Sequence, residues 1–93
     1  MITLDSTLHI PAHVLSTTVD QDAVLLNTQT NHYYGLDEVG ARFWALLADN
    51  NLLKEAYNTL LDEYEVRPSQ LEQDLLELLT DLLENDLVEV VEA

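Results

Sequence analysis

Over the first third of the chain, short apolar and β-branched runs alternate with polar connections. Thr7 to Ile10, Val14 to Val19, Ala23 to Asn27 and His32 to Leu36 each have strand length and strand composition. Pro11 interrupts the first run and suits an edge or a turn, because proline has no N–H to give a ladder. Asp20-Gln21-Asp22 and Gln29-Thr30-Asn31 are the polar connections, and the last two runs are expected to form a hairpin across Thr28 to Asn31. Strand alternation puts Tyr34 and Leu36 on one face of the last run and Tyr33 and Gly35 on the other. Tyr34 and Leu36 are expected in the core. Tyr33, amphipathic and rigid, is the better candidate for a contact, and Gly35 lets another backbone come close.

After Leu36 the apolar period becomes helical. Asp37 is placed to cap a helix, with Glu38 in the first turn favoured by the helix dipole. Val39, Phe43, Leu46 and Leu47 follow at helical spacing, with Trp44 beside them. An end is expected near Asp49-Asn50-Asn51, where asparagine takes a left-handed conformation readily. A second helix is predicted from Leu52 or Leu53 to Tyr64, with Ala56, Tyr57, Leu60, Leu61 and Tyr64 on one side. Val66-Arg67-Pro68 breaks the pattern. Ser69-Gln70-Leu71-Glu72 then reads as a capping box, serine at the N-cap and glutamate at the third helical position. A third helix is expected to reach about Asn85, with a short strand or extended tail over Leu87 to Val91. Three small helices with a small antiparallel sheet make an α+β chain resembling a winged helix-turn-helix.

The third helix has more leucine than one contact requires. At ~100° per residue, Leu71, Leu75, Leu78 and Leu82 form one stripe and Leu76, Leu79 and Leu83 a second. Together they cover roughly 160°, against the ~100° that a single core contact uses. Either the helix is wedged centrally, with every leucine in the core, or one stripe packs inward and part of the other lines a groove. A groove beside a sheet edge suits an extended peptide, because the edge offers unpaired N–H and C=O groups.

Charge narrows the choice of partner. Asp and Glu total 18 against 3 Lys plus Arg, a formal net charge of −15. Nucleic-acid affinity comes largely from Lys and Arg on phosphates, so neither nucleic acid nor an anionic membrane is an expected partner. A neutral or cationic peptide fits, and so does a merely solubilising surface. The length of 93 residues suits one domain, 1–93. No apolar run reaches the ~20 residues of a membrane span. The start lacks the basic and apolar regions of a signal peptide, and there is no cysteine, so a cytoplasmic location is expected.

Catalytic chemistry is not expected. His9 and His13 are four apart, but Pro11 and the strand-like context argue against a helical metal pair. There is no EF-hand loop, nucleophile elbow, Gly-rich phosphate loop or Cys/His pair. The expectation is a non-enzyme with no catalytic residue, no metal and no cofactor.

Val24-Leu25-Leu26, then His32-Tyr33-Tyr34-Gly35-Leu36-Asp37-Glu38-Val39-Gly40-Ala41-Arg42-Phe43-Trp44, resembles the PqqD-like family, whose pattern there is Tyr-Tyr-x-Leu-Asn-x-x-Gly-Ala-x-Ile-Trp. Asp37 stands for the usual Asn and Phe43 for the usual Ile. Leu60 to Val66 resembles the family's Leu-x-x-x-Tyr-x-Val segment. Gln73-Asp74-Leu75 to Leu82-Leu83, then Asn85-Asp86-Leu87-Val88, resembles its C-terminal pattern. Asp49-Asn50-Asn51 and Asn85-Asp86 depart from it in lacking glycine. The likeness covers nearly the whole chain; single motifs are weak, but their order and spacing are specific.

The resemblance implies a precursor-recognition element for ribosomally made, post-translationally modified peptides, with a three-stranded antiparallel sheet followed by three helices. Three strands are one fewer than the periodicity gives, and the run 14–19 is then expected to belong with a neighbour or to be a loop. In the family, the leader peptide adds as a strand to the third strand, beside the third helix. By position these are Asn31, His32, Tyr33, Tyr34, Gly35 and Leu36, and the helix from Ser69 to Asn85. The strand edge and Tyr33 would form one wall. Asp74, Leu75, Leu78, Leu79 and Leu82 would form the other, with Asp74 and Asp81 placed to meet a basic residue or a tyrosine hydroxyl. Tyr64-Glu65-Val66 and the acidic character look most like the stand-alone lasso-peptide type, whose partners are the leader and a separate leader peptidase or other modifying enzyme. Two alternatives are a pyrroloquinoline-quinone-type peptide carrier for a radical enzyme and, from another class, a winged-helix DNA-binding protein. A third is a small acidic interaction subunit that dimerises through its leucines.

Overall fold

The computed structural model describes residues 2–91. The elements are β1 (Thr7–His9), β2 (Val14–Val19), β3 (Asp22–Asn27), β4 (His32–Leu36), α1 (Glu38–Asp49), α2 (Leu53–Glu63), α3 (Pro68–Glu84) and β5 (Glu89–Val91). Strands β2, β3 and β4 form an antiparallel sheet in that order, and β1 pairs with β5 in a separate two-stranded sheet. The fold is α+β, a three-stranded antiparallel sheet with three helices. The run 14–19 is neither merged nor a loop: all six of its residues pair with β3, from Val14 opposite Asn27 to Val19 opposite Asp22. Of the four strand-like runs in the first third, the one outside that sheet is β1, which also bridges to Leu52 through Thr7. Pro11 lies between β1 and β2 and ends the first run, so the chain is free to leave one sheet for the other.

Both hairpin turns use polar residues in the left-handed region, Asp20 at φ 57 and Asn31 at φ 61, residue types that tolerate it. The second turn is also held from within. Asn27, 1% exposed, accepts on its side-chain oxygen from the N–H groups of Gln29 (2.9 Å) and Thr30 (3.3 Å). Its amide donates to the carbonyl of Asn85, 3.0 Å away, tying the end of β3 and the turn into β4 to the end of α3. His13 adds a second tie, its Nε2 donating to the Asp86 carbonyl at 3.0 Å.

Helix α1 begins as the sequence indicates, the Asp37 carboxylate accepting from the Gly40 N–H at 2.8 Å. Gly40 lets the helix close on β4: a Cβ there would stand 3.3 Å from the Leu36 side chain. Its far end differs from expectation, since Asn50 is extended (φ −144), not left-handed; its side chain instead accepts from the Leu52 N–H at 3.1 Å and turns the chain toward α2. The capping box predicted for α3 does not form. The N-cap falls two residues earlier, at Arg67, with Pro68 in the first turn and no side-chain cap. Proline has the helical φ already and lacks an N–H that the first turn could not have used, so Ser69 is drawn inside the helix. At the other end, Leu87 N–H bonds to the Leu82 carbonyl (2.9 Å) and Asp86 N–H to that of Leu83 (3.1 Å). This double closure needs a left-handed residue, and Asp86, φ 55, fills the glycine's place.

One core joins the sheet to all three helices. Leu25, Phe43, Leu53, Leu60, Leu79 and Leu82 have no exposed surface, and Leu8, Leu47 and Leu87 are nearly as deep. Among the described residues, no helix is long and apolar enough to cross a membrane.

Candidate functional site, a groove between β4 and α3

Strand β4 pairs with β3 on one side only. Along its other side, alternate N–H and C=O groups face away from the sheet with no strand to receive them among the described residues. Beside that edge runs a groove of about 670 Å³. Tyr34, Gly35 and Leu36 of β4 form one wall and Leu71, Asp74, Leu75 and Leu78 of α3 the other. Asp37, Val39 and Gly40 at the start of α1 close one end, with Tyr64, Glu65 and Val66 from the α2–α3 connection.

The turn of α3 explains what faces the groove. Leu71, Leu75, Leu79 and Leu82 are the buried set, whereas Leu76, Leu78 and Leu83 are half-buried. At ~100° per residue, Leu78 lies at one margin of the leucine arc and Leu76 and Leu83 at the other. Asp74 and Asp81 stand just outside the Leu78 margin. That margin is therefore a leucine ledge with carboxylates along its rim.

Polar groups bridge the walls. The Tyr34 hydroxyl donates to Asp81 Oδ2 across 3.3 Å, linking strand to helix. Partial burial, and then the Asp81 charge and this hydrogen bond, push the Tyr34 phenol above its ordinary range. Tyr64 donates to Glu38 Oε2 at 3.4 Å, and desolvation followed by the Glu38 charge raises its phenol likewise. Behind Tyr64, Arg42 grips Glu63 with both nitrogens, Nε to Oε1 at 2.8 Å and Nη2 to Oε2 at 2.6 Å. That hydrogen bond holds the Glu63 carboxyl below and the Arg42 guanidinium above their usual ranges. Both side chains are largely in water, so the pair orients α1 on α2 more than it stabilises them. Asp74 accepts from Gln70 Nε2 at 2.8 Å.

Of the residues singled out from sequence, Tyr34, Gly35, Leu36, Asp74, Leu75 and Leu78 come together on the groove, and Asp81 reaches it through Tyr34. Leu79 and Leu82 have no exposed surface and sit behind the wall. Tyr33, 73% exposed, is not on the groove. It faces the outer side of the sheet with its cross-strand neighbours Leu26 and Leu15. Asn31 and His32 are exposed at the turn end of β4, away from the groove. Sequence reading did not assign Asp37, Val39, Gly40, Tyr64, Glu65, Val66 or Leu71 to a site. Tyr64 and Val66 carried a usable signal, because two large apolar side chains in a short interhelical connection need a surface to pack on. Among the described residues, no group of three or more metal-ligating side chains comes together.

Residues 22–88 match the family described as Coenzyme PQQ synthesis protein D (PqqD). A solved structure described as TbiB1 in complex with the TbiA(beta) leader peptide is similar with a TM-score of 0.84 and 35% identity, over 91% of this chain and 99% of that one. A second, lasso peptide synthetase B1 complexed with the leader peptide, gives a TM-score of 0.79 and 25% identity, over 89% of this chain and 98% of that one. Curated protein sequences gave no match. With the family's pattern extending over most of its length, the chain belongs to the PqqD family.

Proposed function

We propose that this protein binds the leader segment of a ribosomal precursor peptide, of the lasso-peptide kind, as a fourth strand on the free edge of β4. The observation that carries this reading is the coincidence of an unpaired strand edge with an apolar groove beside it. Backbone hydrogen bonds along β4 supply affinity for any extended chain, and side-chain pockets supply the selection. Leu36, Val39, Val66, Leu71, Leu75 and Leu78 receive the leader's apolar anchors. Asp74 and Asp81 on the rim favour a basic or hydroxyl-bearing neighbour, while Leu79 and Leu82 keep the helix wall in place from behind. The likeness to two proteins held with leader peptides supports the choice of ligand.

The role is binding, not catalysis, with neither metal nor cofactor. The bound leader is then presented to a separate leader peptidase or other modifying enzyme. The test is a fluorescence titration with a labelled leader from the precursor encoded nearest this gene. Micromolar or tighter binding is expected, lost when the leader's apolar anchors become alanine. Folded protein that ignores the leader at both low and moderate salt would overturn the reading.

A further inference from the structure

A second, shallower hollow opens at the same end of β4, on the other face of the sheet. Val24 is paired with Gly35, and Val19 with Asp22. Alternation puts these four residues on the face opposite Leu25 and Leu36. The hollow has a volume of about 410 Å³ and shares Gly35, Leu36 and Asp37 with the groove. The two depressions therefore meet at the strand edge.

Gly35 makes the outer hollow possible. A Cβ built on it meets nothing within 4 Å, and its φ is not positive. The backbone there does not require glycine, and glycine weakens a strand interior. What glycine provides at this position is room on the outer face, directly beside the edge that faces the groove.

We propose that the outer hollow is a second subsite for the same added strand, taking a lysine or arginine side chain from the residue opposite Gly35. The inference rests on the strand-addition reading above. Directly opposed residues in paired strands project to the same face. Leader residues opposite Tyr34 and Leu36 therefore point into the groove, and the one between them points outward over Gly35. There an aliphatic stem crosses Gly35 toward Val24, and the charged end is drawn to the carboxylates of Asp22 and Asp37. Long cationic side chains bury their stems and keep their heads in water in this way. No cation lines the hollow, and the chain carries a net charge of −15, so an acidic residue is disfavoured there. The recognised segment thus reads apolar, basic, apolar, with its register fixed by Gly35.

A displayed library of short random peptides, selected on the immobilised full chain, tests this. The wild-type protein should enrich an apolar–basic–apolar triplet. Val24→Phe, on β3 and not in the groove lining, fills the hollow with a strand-favouring residue; it should keep both apolar preferences and lose the basic one. Asp22→Lys, at an exposed position, should turn the middle preference from basic toward acidic. Thermal melts confirm that both variants fold. A wild-type middle position without preference, or one unchanged in both variants, would overturn the second subsite and leave the groove reading standing. Failure of the folded wild-type protein to enrich even the apolar pair would overturn the groove reading and this inference with it.

Discussion

Strands β2 and β4 are the two outer strands of one sheet, and each leaves one edge unpaired among the described residues. Past Val14, every residue of β2 is exposed, and its middle is Ser16, Thr17 and Thr18. Its edge faces water, which satisfies the open backbone groups at little cost. Strand β4 is shorter, but its edge faces the leucine ledge of α3, and the start of α1 closes one end. Water beside such a wall is poorly placed, and its release on peptide binding adds to the gain from backbone pairing. An edge therefore becomes a recognition site when a second element builds an apolar wall along it. Ties on either side of β4 help keep that wall in place: Asn27, at the end of β3 before the turn, to the end of α3, and Asp37, after β4, to the start of α1.

Placing charge on the wall breaks this contrast most directly. Leu78→Asp should weaken leader binding by roughly 30-fold or more, the scale of a central interface residue. Thr17→Asp on β2 should leave binding unchanged, and titration of both variants against one leader compares the two edges. Next comes Asn27→Ala, which strips partners from two backbone N–H groups and the Asn85 carbonyl. It should cost about 2 kcal/mol in urea unfolding and weaken binding as the β3–β4 turn and α3 lose their tie. Asp37→Ala removes the cap at the other end of β4 and should cost about 1 kcal/mol, read as a lower urea midpoint.

The strand-to-helix bridge from Tyr34 to Asp81 sharpens the contrast through pH. The folded Tyr34 phenol ionises above the ordinary value of 10.0. Its stabilising share is complete below that value and is lost as pH rises through the folded pKa. Ultraviolet titration should show a phenolate appearing late, and Tyr34→Phe should flatten the alkaline fall in stability. The smallest effect is expected at Asp86→Gly. Relief of a left-handed aspartate is offset in part by glycine's greater freedom in the unfolded chain, for a net gain of ~0.5 kcal/mol or less. A thermal melt with no rise would show that Asp86 already bears the conformation without strain.

Much of the architecture is local in origin and could be read from the chain. The runs 14–19, 23–27 and 32–36 became strands, the change of period after Leu36 became α1, and Asp37 capped it. Tyr34 and Leu36 turned inward and Tyr33 outward, as alternation requires. The start of α3 was misread because two local signals compete there. A serine followed three residues later by a glutamate, at the head of a leucine-rich run, suggests a cap, but the preceding proline already holds a helical φ and takes the first turn.

Sequence alone determined the strand and helix periods, the inward and outward faces of each strand, the acidic charge that turns away polyanions, and the width of the leucine arc on α3. Tertiary structure decided which part of that arc is core and which is groove. It buried Leu79 and Leu82, half-exposed Leu78, and brought Tyr64 and Val66 to the end of the site. It also sent β1 to β5 and left β4 with a free edge. Periodicity fixes the angle at which a side chain leaves its own axis. Whether that direction meets another element, a hollow or water depends on the placement of distant segments, which no local repeat encodes.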